Sequence, residues 1–190
     1  MTKSFSTTSD PASAADEMAA LIQAAQQNPQ AFRQLYDQWV VPVYQYVFFR
    51  TRNVADAEDL TSQIFLAAYQ ALPRYRHDGH FAAWLFTIAR NHTHAFFRKR
   101  WREVPMEAAG EAATHPDLLA EAIHQEEIER LQRLVQRLPE EAQELIRLRY
   151  VAELSFADIA RVLGRSEGAV KKSLYRLQAR LQSLLERNHE

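Results

Sequence analysis

Residues 74–102, RYRHDGHFAAWLFTIARNHTHAFFRKRWR, combine cations with an unusual number of aromatic side chains. The aromatics are Tyr75, Phe81, Trp84, Phe86, Phe96, Phe97 and Trp101. Cationic side chains follow a phosphate backbone, while exposed aromatic rings stack on bases taken out of a duplex. The stretch therefore indicates binding of melted nucleic acid. Burial of most of these rings in a helical core is the alternative, and only the terminal cluster 98–102 is too cationic to bury readily.

A second candidate nucleic-acid site is SFADIARVLGRSEGAVKKSLYRL, residues 155–177. Ser155 can cap a first helix, and Asp158 stands at the position of the capping-box acid. Gly164 can adopt the left-handed conformation that ends a helix, and Ser166 can cap the next one. The spacing predicts two helices joined by a short turn, as in DNA-binding helix-turn-helix motifs.

The second helix of this pair has one apolar and one cationic face. Its predicted buried stripe is Val170, Leu174, Leu177 and Leu181. Its other surface carries Glu167, Lys171, Lys172, Tyr175, Arg176 and Arg180, preceded by Arg165. Side chains near a helix N-terminus reach base edges in the major groove, and later Lys and Arg neutralise phosphates. The alternative is a helical hairpin whose basic face is only solvated.

The segment DAEDLTSQIFLAAYQAL, residues 56–72, has the opposite kind of surface. Three acids and Gln63 surround an apolar run broader than one packed stripe, which includes Ile64, Phe65, Leu66 and Tyr69. A docking surface for a protein partner has this character, and so has a well-capped core helix.

Helices must position all three segments, because only 4 glycines occur in 190 residues and no strand-like alternation is present. One helix is predicted to begin near Asp16 and a second near Phe32, with a new helix starting at Pro42 as a first-turn proline. Further helices are predicted over 56–72 and 81–101, and helical spacing resumes from about Gln125.

Charge divides the chain into blocks. Residues 32–102 include ten basic and five acidic side chains. Residues 103–130 include one basic and eight acidic side chains, and residues 131–190 include eleven basic and eight acidic side chains. The acidic stretch contains Pro105, Gly110 and Pro116 and no aromatics, which is typical of a linker. We therefore predict an all-α protein of two small helical domains joined by a flexible acidic linker, with the helix-turn-helix in the second. The predicted ranges are a disordered tail 1–15, a first domain 16–102, a linker 103–127 and a second domain 128–187.

Composition argues against several other classes. The absence of cysteine removes disulfides and thiolate metal sites. No stretch reaches the ~18 apolar residues of a membrane span, and the N-terminus lacks the apolar core of a signal peptide. We expect a cytoplasmic protein with no metal, no cofactor, no small-molecule substrate and no direct membrane insertion.

Four motifs occur in a fixed order: AFRQLYDQW, DAEDLTSQIFLAAYQAL, FAAWLFTIARN and, after the acidic stretch, LPEEAQELIRLRYVAELSFADIARVLGRSEGAVKKSLYRLQARL. In this order the chain resembles the bacterial sigma factors of the sigma-70 family, in their extracytoplasmic-function group. The resemblance covers about residues 31–186 and implies a transcription initiation factor that is not an enzyme. It implies core RNA polymerase and promoter DNA as partners, and an anti-sigma factor as a further partner.

The resemblance gives each segment a role. Residues 56–72 match the segment that binds core polymerase, and the implied contacts are Asp56, Glu58, Asp59, Leu60, Gln63 and Phe65. Residues 74–102 match the segment that recognises and melts the minus-ten promoter element, and the implied contacts are Arg74, Tyr75, Arg76, His80, Trp84, Arg90, Asn91, Arg98, Lys99 and Arg100. The helix-turn-helix matches the module that reads the minus-thirty-five element as a duplex, and the implied contacts are Arg165, Ser166, Glu167, Gly168, Lys171, Lys172, Tyr175, Arg176 and Arg180.

Four positions depart from the family pattern. Ser62 and Gln63 stand where the family has Gln and Glu, which bears on contact with polymerase. Asp158 replaces the Glu of the family's EIA motif, and Ala169 replaces the Thr of its GTV motif. Ala169 lacks a hydroxyl that could meet a phosphate, so the promoter contact differs there.

Two other classes are alternatives. One is a metalloenzyme, because His77, His80, His92 and His94 are close in sequence and 121–124 has the Glu-x-x-His spacing of di-iron bundles. A second motif of that kind is missing. The other is a dimeric helix-turn-helix regulator, which would bind a palindrome tightly without polymerase.

Overall fold

The computed structural model describes residues 11–103 and 131–186, and every regular element in these ranges is helical. This confirms the predicted all-α fold. A first block contains α1 (Pro11–Gln27), α2 (Pro29–Thr51), α3 (Val54–Ala71) and α4 (Phe81–Glu103), with a 3-10 turn at Leu72–Arg74. The predicted linker lies outside the described residues except for Glu103, and so do residues 1–10 of the predicted tail.

Helix α1 begins at Pro11, five residues before the predicted start at Asp16. Proline suits the first position of a helix, and the alanine-rich segment that follows has high helix propensity. The helix therefore includes residues 11–15, which the sequence assigned to the tail.

The predicted restart at Pro42 is wrong, because α2 runs through this proline without a break. A proline in a helix interior removes one backbone hydrogen bond and costs about 3 kcal/mol. Burial offsets this cost, since Val43, Tyr46 and Val47 in the following turn are fully buried. Tertiary packing thus overrides the local signal.

Helix α3 follows the sequence prediction closely. The Asn53 side chain caps it by accepting a hydrogen bond from the backbone N–H of Asp56 at 2.9 Å. The helix ends at Ala71, and Pro73 lies in the 3-10 turn after it. Helix α3 packs against α2 on one side and α4 on the other, so it presents a single outward face.

A second block contains the predicted helix-turn-helix. Residues 131–136 are helical, α5 (Glu140–Ile146) continues into one π-helical turn (Arg147–Val151), and α6 (Phe156–Leu163) and α7 (Glu167–Glu186) follow. Ser155 caps α6 by accepting from the N–H of Asp158, and Gly164 ends it in the left-handed conformation with φ 63°. Both capping predictions are confirmed.

The two blocks are docked on one another. Helix α4 packs against α6, and α2 packs against the π-helical turn. Buried side chains from both blocks form one continuous cluster that includes Val47, Phe86, Leu148 and Ile159. The fold therefore holds the helix-turn-helix against the aromatic and basic block.

Candidate nucleic-acid interface

The second helix of the motif, α7, presents one apolar and one cationic face as predicted. Val170, Leu174 and Leu177 are buried, and Leu181 is half-buried. Ser166 begins the helix by accepting from the N–H of Ala169 at 3.3 Å. The apolar stripe fixes the rotation of α7 and turns its other face to solvent.

The cationic face of α7 is a row of exposed side chains. Lys172, Arg176 and Arg180 follow one another at intervals of four residues, which places them on one side of the helix. Tyr175 lies beside them and is 61% exposed. Within the described ranges no ion pair or hydrogen bond engages the three cations. They are therefore available to a phosphate backbone.

Other predicted contacts of this motif have partners within the protein. The Lys171 ammonium lies 2.6 Å from the Glu167 carboxylate, and this hydrogen bond raises the pKa of Lys171. Arg165 donates to Glu141 at 2.9 Å and to the Ser173 hydroxyl at 2.8 Å. These bonds pre-position the two cations at the start of α7. Ser166 and Gly168 are exposed in the same turn.

Most aromatic side chains of residues 75–97 pack on one another rather than line an open surface. Tyr75 is buried, with its ring centre 4.8 Å from Trp84 and 5.7 Å from Phe81. Phe86 is fully buried, and Trp84 and Phe96 are half-buried. For Tyr75, Phe81 and Phe86 the structure favours the core alternative. The half-buried Trp84 keeps a surface that a base can reach.

The polar residues predicted for the minus-ten element divide into two groups. Arg74, Arg76, Asn91, Arg98 and Lys99 are exposed. The others face the protein: Arg100 donates to Asp56 at 2.9 Å, joining α4 to α3, while His80 and Arg90 face the second block.

Two contacts join the turn before α4 to the helix-turn-helix. His80 Nδ1 lies 2.8 Å from the Asp158 carboxylate, and Arg161 donates to Asp78 at 2.7 Å. Asp158 also accepts from the Ser155 hydroxyl. Asp158, the acid at the capping-box position, thus contributes to the contact between the two blocks.

A buried carboxylate joins the blocks at a second point. Glu144 is 4% exposed and accepts from the Tyr46 hydroxyl at 2.7 Å and from Arg147 at 2.9 Å. Arg90 and Arg50 lie 3.6 and 4.0 Å from its oxygens. Burial and the Glu144 carboxylate raise the pKa of Tyr46 well above its usual value. The sequence predicted no role for Glu144, and only its three-residue spacing from Arg147 gave a signal.

Helix α3 offers a mixed surface for a protein partner. Leu60 and Phe65, two of the predicted polymerase contacts, are buried in the core. Glu58, Asp59 and Gln63 are exposed, and Gln63 donates to Asp59 at 2.8 Å. The exposed large apolar residues of α3 are instead Leu66, at 58%, Tyr69 and Val54. The apolar run is therefore split between core and surface, as its breadth indicated.

The histidines that suggested a metal centre do not converge. Among residues 11–103 and 131–186, no group of three or more His, Asp or Glu side chains has the arrangement of a metal site. His80 pairs with Asp158, and the Glu-x-x-His motif at 121–124 lies outside the described residues. In the same described ranges, no helix is long and apolar enough to cross a membrane.

Comparison with known families matches both blocks. The model for Sigma-70 region 2 matches residues 35–103, and the model for Sigma-70, region 4 matches residues 128–181. The chain belongs to the sigma-70 family. This sigma factor is a transcription initiation factor and not an enzyme, so the dimeric-regulator and metalloenzyme alternatives do not hold.

Relatives of this sigma factor place it in the extracytoplasmic-function (ECF) group. It is 39% identical over 176 residues to the ECF RNA polymerase sigma factor BldN of Streptomyces coelicolor, covering 88% of this chain and 66% of BldN. It is 29% identical over 155 residues to the ECF RNA polymerase sigma factor SigM of Bacillus subtilis, covering 81% of this chain and 94% of SigM.

The arrangement of the two blocks has a counterpart among solved structures. CnrH in complex with the cytosolic domain of CnrY matches with a TM-score of 0.65 and 28% identity, over 90% of this chain and 97% of CnrH. The sigma factor RpoE of Bartonella quintana, in complex with the anti-sigma factor NepR, matches with a TM-score of 0.63 and 24% identity, over 82% and 96% of the two chains. The latter likeness concerns the fold alone.

Proposed function

We propose that this chain binds core RNA polymerase in the cytoplasm and directs it to promoters. In this proposal α7 reads the minus-thirty-five element, and the exposed residues of the first block recognise and melt the minus-ten element. The observation that supports it most is the row of Lys172, Arg176 and Arg180 on a capped helix-turn-helix, within a chain matched by two sigma-70 regions. Cations in such a row neutralise phosphates beside the major groove.

Run-off transcription with purified core polymerase and a promoter library tests the proposal. We expect initiation that depends on this chain, and weak DNA binding by the chain alone in a gel-shift assay. A well-folded preparation that adds no initiation on any template would refute it. Tight, polymerase-independent binding to a palindrome would point to a different mode of action.

The minus-thirty-five assignment is tested by neutralising the exposed row on α7. Lys172→Gln together with Arg176→Gln should weaken duplex binding by the assembled polymerase and lower the salt slope by about 2, one for each lost phosphate contact. Core binding should stay unchanged. Arg33→Gln is the control, because Arg33 is 83% exposed and pairs with Asp37 on its own helix.

The polymerase-binding assignment is tested on the outward face of α3. Asp59→Lys reverses a charge on the helix face that also carries exposed Leu66 and should weaken core binding, measured by fluorescence anisotropy of the labelled chain. Asp37→Lys reverses an exposed charge on α2 and serves as the control. Equal loss in both variants would indicate a general charge effect and contradict the assignment to α3.

The melting assignment concerns the exposed polar residues of the first block. Arg76→Gln and Asn91→Ala should reduce opening of the minus-ten element, measured by permanganate reactivity of its thymines, with duplex binding at the minus-thirty-five element retained. Loss of both signals together would contradict a division of labour between the blocks.

We also propose an anti-sigma factor as a partner. The similar protein CnrH has been solved with the cytosolic domain of CnrY, and RpoE with the anti-sigma factor NepR. A protein captured from the native cell should inhibit run-off transcription when added at equimolar amount. A captured protein without this effect would not be the expected partner.

A further inference from the structure

A pocket of about 550 Å³ is lined by residues of both blocks. The first block contributes Arg50, Arg52, His94 and Arg98 to its lining, and the second contributes Glu140 and Arg147. Its volume is in the range of ligand pockets, about 300–1,000 Å³, and such pockets are frequent at domain interfaces.

The pocket has more cationic than anionic groups. Arg147 binds Glu140 at 2.5 Å and the buried Glu144 behind it at 2.9 Å, and Arg50 lies 3.2 Å from Glu140. Arg52 and Arg98 have no carboxylate partner within the described ranges. Four guanidinium groups and one carboxylate, that of Glu140, therefore line the pocket, which leaves an excess of three positive charges.

Two buried nitrogen atoms at this pocket have no hydrogen-bond partner among the described residues: Arg50 Nη1 and His94 Nε2. Only 11% of the Arg50 side chain is exposed. Buried polar groups in proteins nearly always have a partner, so both atoms are unusual. Both atoms are closed to solvent, so a change of side-chain rotamer would be needed to turn either one toward an acceptor in the pocket.

Two pKa shifts agree with this excess of positive charge. Burial and Arg147 lower the pKa of Arg52, and burial together with Arg50 and Arg90 lowers the pKa of His94. In each case neighbouring guanidinium groups oppose the cationic form of the side chain. An anion in the pocket would relieve that repulsion.

We propose that this pocket binds a phosphate-bearing anion of the size of a nucleoside diphosphate, with Arg52 and Arg98 as its principal cationic contacts. Guanidinium groups bind phosphate oxygens through paired, charge-assisted hydrogen bonds. Phe49 and Phe97, whose rings stack under Arg52 and Arg50 at 5.0 and 5.1 Å, supply the apolar part of the lining. The negative charges of a diphosphate group would offset this excess of cations.

The position of the pocket gives the anion a second effect. Because residues of both blocks line it, the complete site exists only while the blocks are docked. A ligand that binds one of two conformations shifts the population toward that conformation. The bound anion therefore stabilises the docked arrangement.

Isothermal titration of the full chain with ADP and with pyrophosphate at low salt tests the site. We expect saturable binding of at least ADP, weakened about tenfold or more in Arg52→Gln and in Arg98→Gln, which corresponds to one lost charged contact. Arg33→Gln, which lies outside the pocket, should bind as the wild type does. Tighter binding of ADP would assign a nucleotide, and equal binding of both would assign the diphosphate group alone.

Arg98 is exposed near the end of α4, so Arg98→Gln should fold normally, which thermal unfolding monitors. No saturable binding of either probe would overturn the proposal, and so would affinities unchanged in both arginine variants. Binding of a single-stranded oligonucleotide with the same arginine dependence, but not of ADP or pyrophosphate, would assign the surface to nucleic acid instead. The titration requires neither polymerase nor promoter, so it is independent of the proposed function.

Discussion

Glu144 is the residue on which the electrostatics of the docked blocks most depends. A carboxylate that is 4% exposed is tolerated only when cations and hydrogen bonds compensate its lost hydration. Tyr46 and Arg147 supply the hydrogen bonds, and Arg50 and Arg90 add positive charge nearby. These groups come from α2, α4 and α5 and its π-helical extension, so one side chain ties together elements of both blocks.

Replacing this carboxylate should be costly. Glu144→Gln keeps the volume but leaves three neighbouring guanidinium groups without their buried counter-charge, and we expect a loss of about 3–5 kcal/mol in the free energy of unfolding. Urea denaturation measures it. The control is Glu141→Gln, an exposed partner of Arg165, which should cost less than about 1 kcal/mol. Similar losses in both variants would show that Glu144 is not the centre of the network.

His94 should make stability depend on pH. Its pKa is lowered in the folded protein, so the unfolded chain binds the proton more readily. The stability that neutral His94 contributes is present above the unfolded pKa of about 6.5 and is lost as the pH falls through the folded value. The urea midpoint should therefore decrease on acidification below about pH 6.5, and His94→Gln should reduce this decrease. An unchanged slope in that variant would contradict the assignment.

At the scale of residues, the sequence predicted which side chains are exposed on the candidate functional faces better than it predicted which side chains contact one another. The exposed row on α7 and the polar face of α3 follow from local spacing. The His80–Asp158 and Tyr46–Glu144 pairs join residues 78 and 98 positions apart, and no local pattern encodes such a pairing. The buried positions of Leu60 and Phe65 depended on how α3 is rotated between two neighbours, which periodicity alone left open.

At the scale of elements, caps defined helix boundaries more reliably than breakers. Ser155 and Gly164 cap α6 through interactions of the side chain or of the backbone itself, so their effect is local and can be predicted from the sequence. The break predicted at Pro42 does not occur, because burial of the following turn outweighs the free-energy cost of a proline inside the helix. Long-range packing decides whether a helix continues through such a residue.

The turn of the helix-turn-helix provides a test at this scale. Gly164 has φ 63°, and a Cβ added there would meet no atom within 4 Å, so the effect of a side chain is confined to the backbone. Gly164→Ala should lower the free energy of unfolding by about 1 kcal/mol, and Gly164→Asn by less, because Asn tolerates the left-handed region. Thermal or urea unfolding measures the difference. Equal stability of Gly164→Ala and the wild type would contradict a constrained turn.

At the scale of the whole molecule, the sequence predicted the two helical blocks but not their docking. Charge and composition indicated separate units with a linker between them. The continuous core through Phe86, Leu148 and Ile159 is contributed by helices whose apolar faces looked sufficient for each block alone. The tertiary shape of the two blocks decides which of their remaining apolar surfaces come into contact. The linear sequence therefore did not predict this contact.

Docking should respond to the loss of two of its polar contacts. Tyr46→Phe with Asp158→Asn removes the hydrogen bond to Glu144 and the charge facing His80, and should raise the population of separated blocks. Small-angle scattering should then give a radius of gyration several ångströms above the roughly 16 Å of a compact chain of this length. Tyr44→Phe with Asp37→Asn is the control. An unchanged radius would mean that these two contacts are not needed to hold the blocks together.

The docked arrangement also sets a limit on simultaneous promoter contact. Elements centred about 25 base pairs apart are separated by roughly 85 Å of duplex, whereas a compact chain of this size is about 40 Å across. On the proposed assignment, only separated blocks can hold both elements, and apparent promoter affinity scales with the separated fraction. A separated population of about 1% would weaken binding roughly a hundredfold, or about 2.7 kcal/mol. On this assignment, the contact surface between the blocks would set how tightly the promoter is held.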